Sequence, residues 1–377
     1  MFQLERGYLF DGIYHAGAVD ESEKLVRTTL KDAQVKGLST IPRIGLLWTL
    51  LGEILREKGM LEEAERCVER GLLFSEPEKP CLGWNYIFRI ALSFSQRDYD
   101  QAFEFINEAE ILNQEFHLPF FVTAAIERWK VRLLVEKEKA DEALKILSST
   151  GINKDSTVQG GHEWRYLLLV RILLKQKTPD QEAAGRILEE VENLSKQGGY
   201  TKLLLESMIV KALYAELSGS PGQAEMILAS ALSKGENLGF FQIFCDSGKD
   251  IESILKRIIK NNQNLSDQEY GNLKSYINSI ITSSGLEIGS RDALRDKTIL
   301  EPKPEEKFSS ELIEDLTSRE LEVLGLIKEG LSNEAIAKQL FLSLGTVKWH
   351  TTNIYGKLGV RRRTEAVAQA SKLKLIS

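Results

Sequence analysis

Proline is scarce in this sequence, eight residues in 377, so long stretches can run helical without the breaks that a φ-locked residue lacking an N–H imposes. Cysteine is rarer. Cys67, Cys81 and Cys245 are odd in number and widely spaced, which excludes a disulfide framework and supplies no metal-ligand set. Cys67 falls on an apolar helix position and reads as a buried thiol. The four histidines, His15, His117, His162 and His350, are isolated from one another and from cysteine or carboxylate at ligand spacing, so no metal site is expected. No uninterrupted apolar run approaches the ~18 residues that span a bilayer, and no membrane partner is expected. The opening Met1-Phe2-Gln3-Leu4-Glu5-Arg6 is mixed rather than basic and then apolar, which is not a secretory pattern. A reducing cytoplasm is the expected location. The phosphate-cradling pattern G-x-x-x-x-G-K-[ST] is missing. The nearest glycine stretches, Gly37-Leu38-Ser39-Thr40 and Gly289-Ser290-Arg291, lack its lysine and second glycine. With no nucleophile–base motif either, the sequence points to no cofactor and no catalysis.

What the sequence does hold is periodic. Trp48-Thr49-Leu50-Leu51-Gly52, then Leu55, Ala64, Val68 and Gly71, follows the tetratricopeptide spacing W-x2-L-G with a small residue in the second helix. Ala64 then sits where the two helices of a pair cross, and a larger side chain would push them apart. The small anchor returns at Ala102, Ala143, Ala184 and Ala224, at intervals of 38, 41, 41 and 40 residues. Such a period predicts stacked helix pairs, each burying its face on its neighbours. Trp48, Trp84, Trp129 and Trp164 fall in the first helices of the pairs. They stand in different registers to the anchors, so repeat core is the expectation for them, against a lining that stacks on a sugar or peptide. Two further helices, about 249–262 and 266–282, are expected to close the C-terminal end. The stretch from Ser283 to Ser310, with Glu301-Pro302-Lys303-Pro304-Glu305-Glu306-Lys307, has the composition of a flexible linker.

The last segment changes character. From Phe341 to Ser377 there are seven Lys or Arg against Glu365, a net +6 in a chain whose formal charge is −6. A basic end on an acidic protein is the footprint of a nucleic-acid module. Thr317 or Ser318 caps a first helix through Leu321, Leu324 and Ile327, with Glu320 placed for a capping box and Gly330 as the stop. Ser332 caps a second helix with Ile336, Ala337 and Leu340. Ser343 caps a third after the short link Phe341-Leu342, which admits only a tight turn. At 3.6 residues per turn Val347, Thr351, Ile354 and Leu358 share one face, and Lys348, Trp349, Thr352 and Gly356 the other. The second set suits a major groove, and Asn353 and Lys357 flank it where phosphates would run. Ser332, Asn333 and Thr346 stand at helix N-termini, which favour phosphate oxygens.

The stretch from Leu316 to about Leu373 closely resembles the LuxR-type helix-turn-helix family. The resemblance is carried by Leu316-Thr317-Ser318-Arg319-Glu320, Ser332-Asn333-Glu334-Ala335-Ile336-Ala337, Thr346-Val347-Lys348-Trp349-His350, Asn353-Ile354-Tyr355-Gly356-Lys357-Leu358 and Arg363-Thr364-Glu365-Ala366-Val367-Ala368. It implies base contacts from Lys348, Trp349 and Thr352, and backbone contacts from Thr346, Lys357 and the run Arg361, Arg362, Arg363. It also implies a fourth helix, from Thr364 to Leu373, that forms a dimer interface through Thr364, Val367, Ala368 and Ser371. Residues 16 to 282 resemble the helical-repeat half of large LuxR-type regulators of the MalT kind, most clearly from Ala229 to Gly239-Phe240-Phe241 and at Asp246-Ser247-Gly248-Lys249-Asp250. There the solenoid carries an effector site and contacts for other subunits. Those regulators begin with a nucleotide-binding domain, whose motif this sequence lacks, so ATP switching is not implied. The apolar opening Tyr8-Leu9-Phe10 and Ile13-Tyr14 reads as a solenoid end covered by a further domain or a partner.

The expected fold is all-α: a tetratricopeptide-like solenoid over 1–247, a helical hairpin over 248–282, a linker over 283–310 and a four-helix LuxR-type helix-turn-helix domain over 311–377. The expected function is a sequence-specific transcription regulator. It binds double-stranded DNA as a homodimer and senses an unidentified small molecule or protein at the solenoid, with RNA polymerase as a further candidate contact. Two alternatives stay open: an interaction scaffold tethered to DNA, and the C-terminal part of a larger ATP-dependent regulator.

Overall fold

The computed structural model describes residues 19–38, 42–75, 78–176, 179–261, 267–286, 318–340, 347, 351, 354 and 363–372. Among these, every regular element is a helix. The chain divides into two compact units, Met1–Gly289 and Ser290–Ser377.

Among the described residues the larger unit opens with α1 (Val19–Val35) and continues as five helix pairs. These are α2 (Pro42–Glu57) with α3 (Leu61–Ser75), α4 (Lys79–Ser95) with α5 (Tyr99–Phe116), and α6 (Phe120–Glu136) with α7 (Ala140–Ser149). The last two are α8 (Glu163–Lys175) with α9 (Gln181–Gly198), and α10 (Thr201–Leu217) with α11 (Pro221–Leu238). The anchors Ala64, Ala102, Ala143, Ala184 and Ala224 all lie in second helices and are fully buried. Each first helix packs on its own partner and on the next first helix, so α2, α4, α6, α8 and α10 form one continuous inner layer.

The α2–α3 crossing shows why small residues recur. A methyl group added at Gly45 would lie 2.6 Å from the Gly71 carbonyl, and one added at Gly71 would lie 2.8 Å from the Gly45 carbonyl. Backbone meets backbone there, and neither side can give way by turning a rotamer.

After α11 come a one-turn helix α12 (Gln242–Cys245), then α13 (Gly248–Asn261) and α14 (Asp267–Ser283). The sequence places the last two as a hairpin closing the C-terminal end of the array. In the structure they belong to the same buried cluster as the first helices: Val19, Val26 and Leu30 of α1 and Leu50, Ile54 and Leu55 of α2 share a core with Ile254, Leu255, Ile277 and Ile280. The Phe241 N–H donates to the Glu57 carbonyl at 2.8 Å, and Lys58 reaches back to Asp20 and Glu23, 2.7 Å each. The array therefore curls through a turn and closes on itself. Repeat spacing is a local property and carries no sign of this long-range contact. The apolar opening at residues 8–14 lies outside the described residues.

The smaller unit contains α15 (Ser318–Lys328), α16 (Asn333–Leu340) and α17 (Arg363–Lys372). Val323, Leu324 and Ile327 form its core with Ile336, Ala337, Val347, Ile354, Ala366 and Ala370.

Candidate functional site

In the smaller unit three of the four residues expected on the inward face of the third helix are buried, Val347 and Ile354 fully and Thr351 nearly so; the fourth, Leu358, lies outside the described residues. Thr351 Oγ1 donates to the Val347 carbonyl at 2.8 Å, which satisfies its hydroxyl inside the seam. Ser332 Oγ accepts from the Ala335 N–H at 3.2 Å, so it is the N-cap that its position suggested.

Asn333 and Arg363 meet. Arg363 Nη1 donates to Asn333 Oδ1 at 3.5 Å, and Nη2 donates to the carbonyls of Ile327, at 3.2 Å, and Leu331. The resemblance places Arg363 on the DNA backbone; in the structure its half-buried guanidinium ties α17 to carbonyls at and just beyond the C-terminal end of α15. On α17 the buried seam is Ala366 and Ala370, Val367 is half-buried, and Ser371 is exposed. Thr364 and Ala368 lie on the helix, though their side chains are outside the described residues. Lys348, Trp349, Thr352, Thr346, Asn353, Lys357, Arg361 and Arg362 are also outside them.

The larger unit holds a second candidate site that the sequence reading missed. The inner helices line an open cavity of about 480 Å³, walled by Trp84, Phe88, Trp129 and the half-exposed Phe121 and floored by charged groups. Trp84 and Trp129 are thus cavity wall as well as packing for the neighbouring core, which corrects the expectation of plain repeat core for these two. Trp84 stacks on Phe121 with ring centres 5.5 Å apart. Trp48 instead packs on the main core under Arg70, and Trp164 packs on the core of the middle repeats.

The floor is a buried ion network. Arg56 donates to Glu53 at 2.8 and 2.9 Å, to Glu57, to Ser95 Oγ at 2.9 Å and to Asp246 at 3.1 Å. Lys202, from the last pair, reaches the same Glu57 and Glu53. Burial alone would raise the Glu53 carboxyl, but Arg56 and Lys202 outweigh it and hold the group down at about 2. Four successive first helices send a side chain to the segment 246–250. They are Arg56 from α2, Ser95 from α4 (3.2 Å to Asp246), Arg132 from α6 (3.4 Å to the Asp246 carbonyl) and Arg171 from α8 (3.3 Å to Ser247 Oγ and 3.4 Å to Asp250). The loop after α12 is therefore an axial plug about which the repeats are wound. A signal for this was available. Glu53 and Glu57, Arg128 and Arg132, and Lys202 and Glu206 are charged residues four apart inside otherwise apolar first helices, so each pair shares one face.

A family model described as "MalT-like TPR region" matches residues 10–261, and one described as "Bacterial regulatory proteins, luxR family" matches residues 314–370. The chain belongs to the MalT-like family of tetratricopeptide-type repeat proteins and carries a LuxR-type helix-turn-helix domain at its C-terminal end. Among curated relatives, the "HTH-type transcriptional regulator MalT" of Yersinia pestis (strain Pestoides F) is 26% identical over 343 residues, covering 89% of this chain and 37% of that protein. The protein of the same name from Serratia proteamaculans (strain 568) is 28% identical over 344 residues, with the same two coverages. The chain thus spans 37% of the length of these relatives.

Proposed function

We propose that this protein is a transcription regulator that binds a specific duplex DNA sequence through its LuxR-type unit, and that the interior of its repeat unit senses an effector. The observation that carries the DNA reading is the buried seam Val347, Thr351 and Ile354. With those positions turned inward, the helical period assigns positions 348, 349 and 352 to the other face. There Lys348 donates to guanine acceptors, Thr352 takes either base type and Trp349 adds apolar contact. Ser332, Asn333, Thr346, Asn353, Lys357, Arg361 and Arg362 hold the DNA backbone.

The proposed division of labour is a solenoid over 1–247, its closing hairpin over 248–282, a linker over 283–310 and the DNA-binding domain over 311–377. The chain acts as a dimer on paired half-sites about one helical turn apart. Its dimer surface is the stripe Thr364, Val367, Ala368 and Ser371, centred about 130° around α17 from the buried Ala366–Ala370 seam at 100° per residue. Effector or partner binding changes association of the repeat unit, and association raises DNA affinity by linking two modules. A regulator of this kind works in the cytoplasm and contacts RNA polymerase; no described helix is long and apolar enough to cross a membrane.

Selection from a random duplex pool by the full chain, at near-physiological salt, tests the reading. A paired motif should enrich, and binding without sequence preference would sink it. The scaffold alternative is separated by a reporter fused to the selected site: a regulator changes transcription, whereas a tether only occupies the DNA.

A further inference from the structure

Two stripes of side chains on neighbouring first helices line the cavity, and their chemistry indicates what it takes. This inference rests on the reading of the repeat interior as an effector site. On α4, Trp84, Ile87, Phe88 and Ala91 stand three and four residues apart, which puts them on one face, and all four line the cavity. On α6 the stripe is Phe121, Ala125, Arg128 and Arg132, again at helical spacing and again all lining it. Over about three turns the α6 stripe passes from an aromatic ring through a methyl group to two guanidiniums. Phe121 is 54% exposed and Arg132 8%, so the apolar end is the outer one and the arginines lie inside. The volume, about 480 Å³, falls in the range of small-molecule sites, about 300–1,000 Å³.

Every carboxylate that lines the cavity is in an ion pair: Glu53, Glu57 and Asp246 with Arg56, and Glu206 with Arg128 at 2.8 Å. Of the lining cations, Arg56, Arg128 and Lys202 are matched in the same way. Arg132 is not. Among the described residues no carboxylate is in ion-pair contact with it. It makes one hydrogen bond, from Nη2 to the Asp246 carbonyl at 3.4 Å, and its guanidinium stands 5.1 Å from the centre of the Phe94 ring. An arginine so buried without a carboxylate of its own is rare, because the lost hydration of the charge goes uncompensated. Nε is sealed in the wall, which leaves Nη1 as the donor open to the cavity. On Arg128, Glu206 takes Nη2, and Nε and Nη1 make no hydrogen bond. Burial raises the Glu206 carboxyl, yet Arg128, Arg132, Lys202 and Arg171 together hold it below its ordinary range. Lys202 and Arg171 are shared with Glu57 and Asp250; Arg132 is shared with no second carboxylate.

We propose that the cavity takes an amphiphilic organic anion, a carboxylic acid carried on an aromatic or aliphatic body. Its carboxylate accepts from Arg132 Nη1 and from the open edge of Arg128, in the charge-assisted geometry that suits a guanidinium to a carboxylate. Its body lies beside Ala91 and Ala125, whose small side chains leave room, and against the Trp84–Phe121 stack, where apolar surface leaves water. A cationic ligand meets no unmatched carboxylate, and a neutral one leaves Arg132 without a counter-charge. Because Arg132 also donates to the Asp246 carbonyl, a carboxylate at Arg132 bears on the plug about which the repeats are wound.

The test is titration of the full-length chain with octanoate and 4-phenylbutyrate, by calorimetry and tryptophan fluorescence. Octan-1-ol and 4-phenylbutan-1-ol carry the same bodies without the acid, and acetate carries the acid without a body. At least one of the two acids should bind, shift the emission, and bind at least tenfold more tightly than its alcohol and than acetate. Arg132→Gln, checked for an unchanged helical circular dichroism spectrum, should weaken that acid at least tenfold and leave its alcohol unchanged. Ala125→Leu keeps every charge and fills the place of the body, so it should weaken the acid as well, and it serves where Arg132→Gln does not fold. An alcohol that binds as tightly as its acid overturns the proposal and leaves the interior a ligand site. Acetate that binds as tightly as the acids overturns the apolar half of the proposal. If none of the five binds at millimolar concentration, the proposal and the interior ligand site both fall, and the DNA reading, which duplex selection decides, is untouched. Acid binding of equal strength in wild type and Arg132→Gln overturns the assignment of the carboxylate to Arg132.

Discussion

Single residues in this chain hold regions together that are far apart in sequence. Arg56 is the clearest case: it is 2% exposed, and its guanidinium serves Glu53, Glu57, Ser95 and Asp246 at once. Replacing it with Met leaves Glu53 and Glu57 to Lys202 alone and takes from Asp246 its ion pair with Arg56, and removing one side of a buried ion network costs about 3–5 kcal/mol. Arg56→Met should therefore lower the denaturant midpoint of the repeat unit, read by tryptophan fluorescence. The network also sets an acid limit. Glu53 titrates at about 2 in the fold against an ordinary 4.5, a depressed folded value. Its contribution to stability is fully present above pH ~4.5 and is lost as the pH falls from there towards 2. Denaturant midpoints at pH 7, 5 and 3 should show this loss in the wild type and a smaller one in Arg56→Met. Arg363 makes the opposite kind of prediction. Its charge-assisted bonds to the Ile327 and Leu331 carbonyls are worth about 1.5–3 kcal/mol each, so Arg363→Ala should destabilise the smaller unit. It should leave the salt dependence of DNA affinity unchanged, whereas a lost phosphate contact would reduce that slope by about 0.9.

At the scale of elements, the α2–α3 pair sets the pattern and shows how far sequence reading reaches. Ala in place of Gly71 gains about 1 kcal/mol in helix propensity. The added methyl, however, lies 2.8 Å from the Gly45 carbonyl and 2.9 Å from the Thr49 nitrogen, and overpacking against unyielding neighbours costs about 1–3 kcal/mol. The net expectation is a lower melting temperature for Gly71→Ala; a higher one would mean that the helices part freely. The helix pairs were legible because each needs a small residue at a fixed place, and the anchor alanines repeat at a nearly constant interval. The inward face of the DNA-reading helix was legible from period alone, through Val347, Thr351 and Ile354. The bonds of Arg363 to the Ile327 and Leu331 carbonyls were not, because no local spacing marks an arginine that meets a helix end. The cavity was not legible either: it joins residues as far as 190 positions apart, as Arg56 and Asp246 are, and no local spacing encodes that meeting.

The proposed regulator joins two kinds of surface. The repeat unit closes on its own first helices through Glu57, Phe241 and Lys202, and it keeps a cavity lined by aromatic and charged side chains beside that closure. The LuxR-type unit buries Val347, Thr351 and Ile354, and its sequence ends in a basic stretch. The chain belongs to the MalT-like family and spans 37% of the length of its curated relatives. The proposed function gives its LuxR-type unit the reading of a DNA sequence. The direct measurement is fluorescence anisotropy of the full chain on its selected duplex and on a scrambled duplex of equal length, at near-physiological salt, for the wild type and Lys348→Ala. The wild type should prefer the selected duplex. The variant should lose about 1–3 kcal/mol on that duplex alone, the worth of one base contact. Equal affinity of the wild type for both duplexes, or an equal loss by the variant on both, would contradict the account, because Lys348 would then meet only the phosphate backbone.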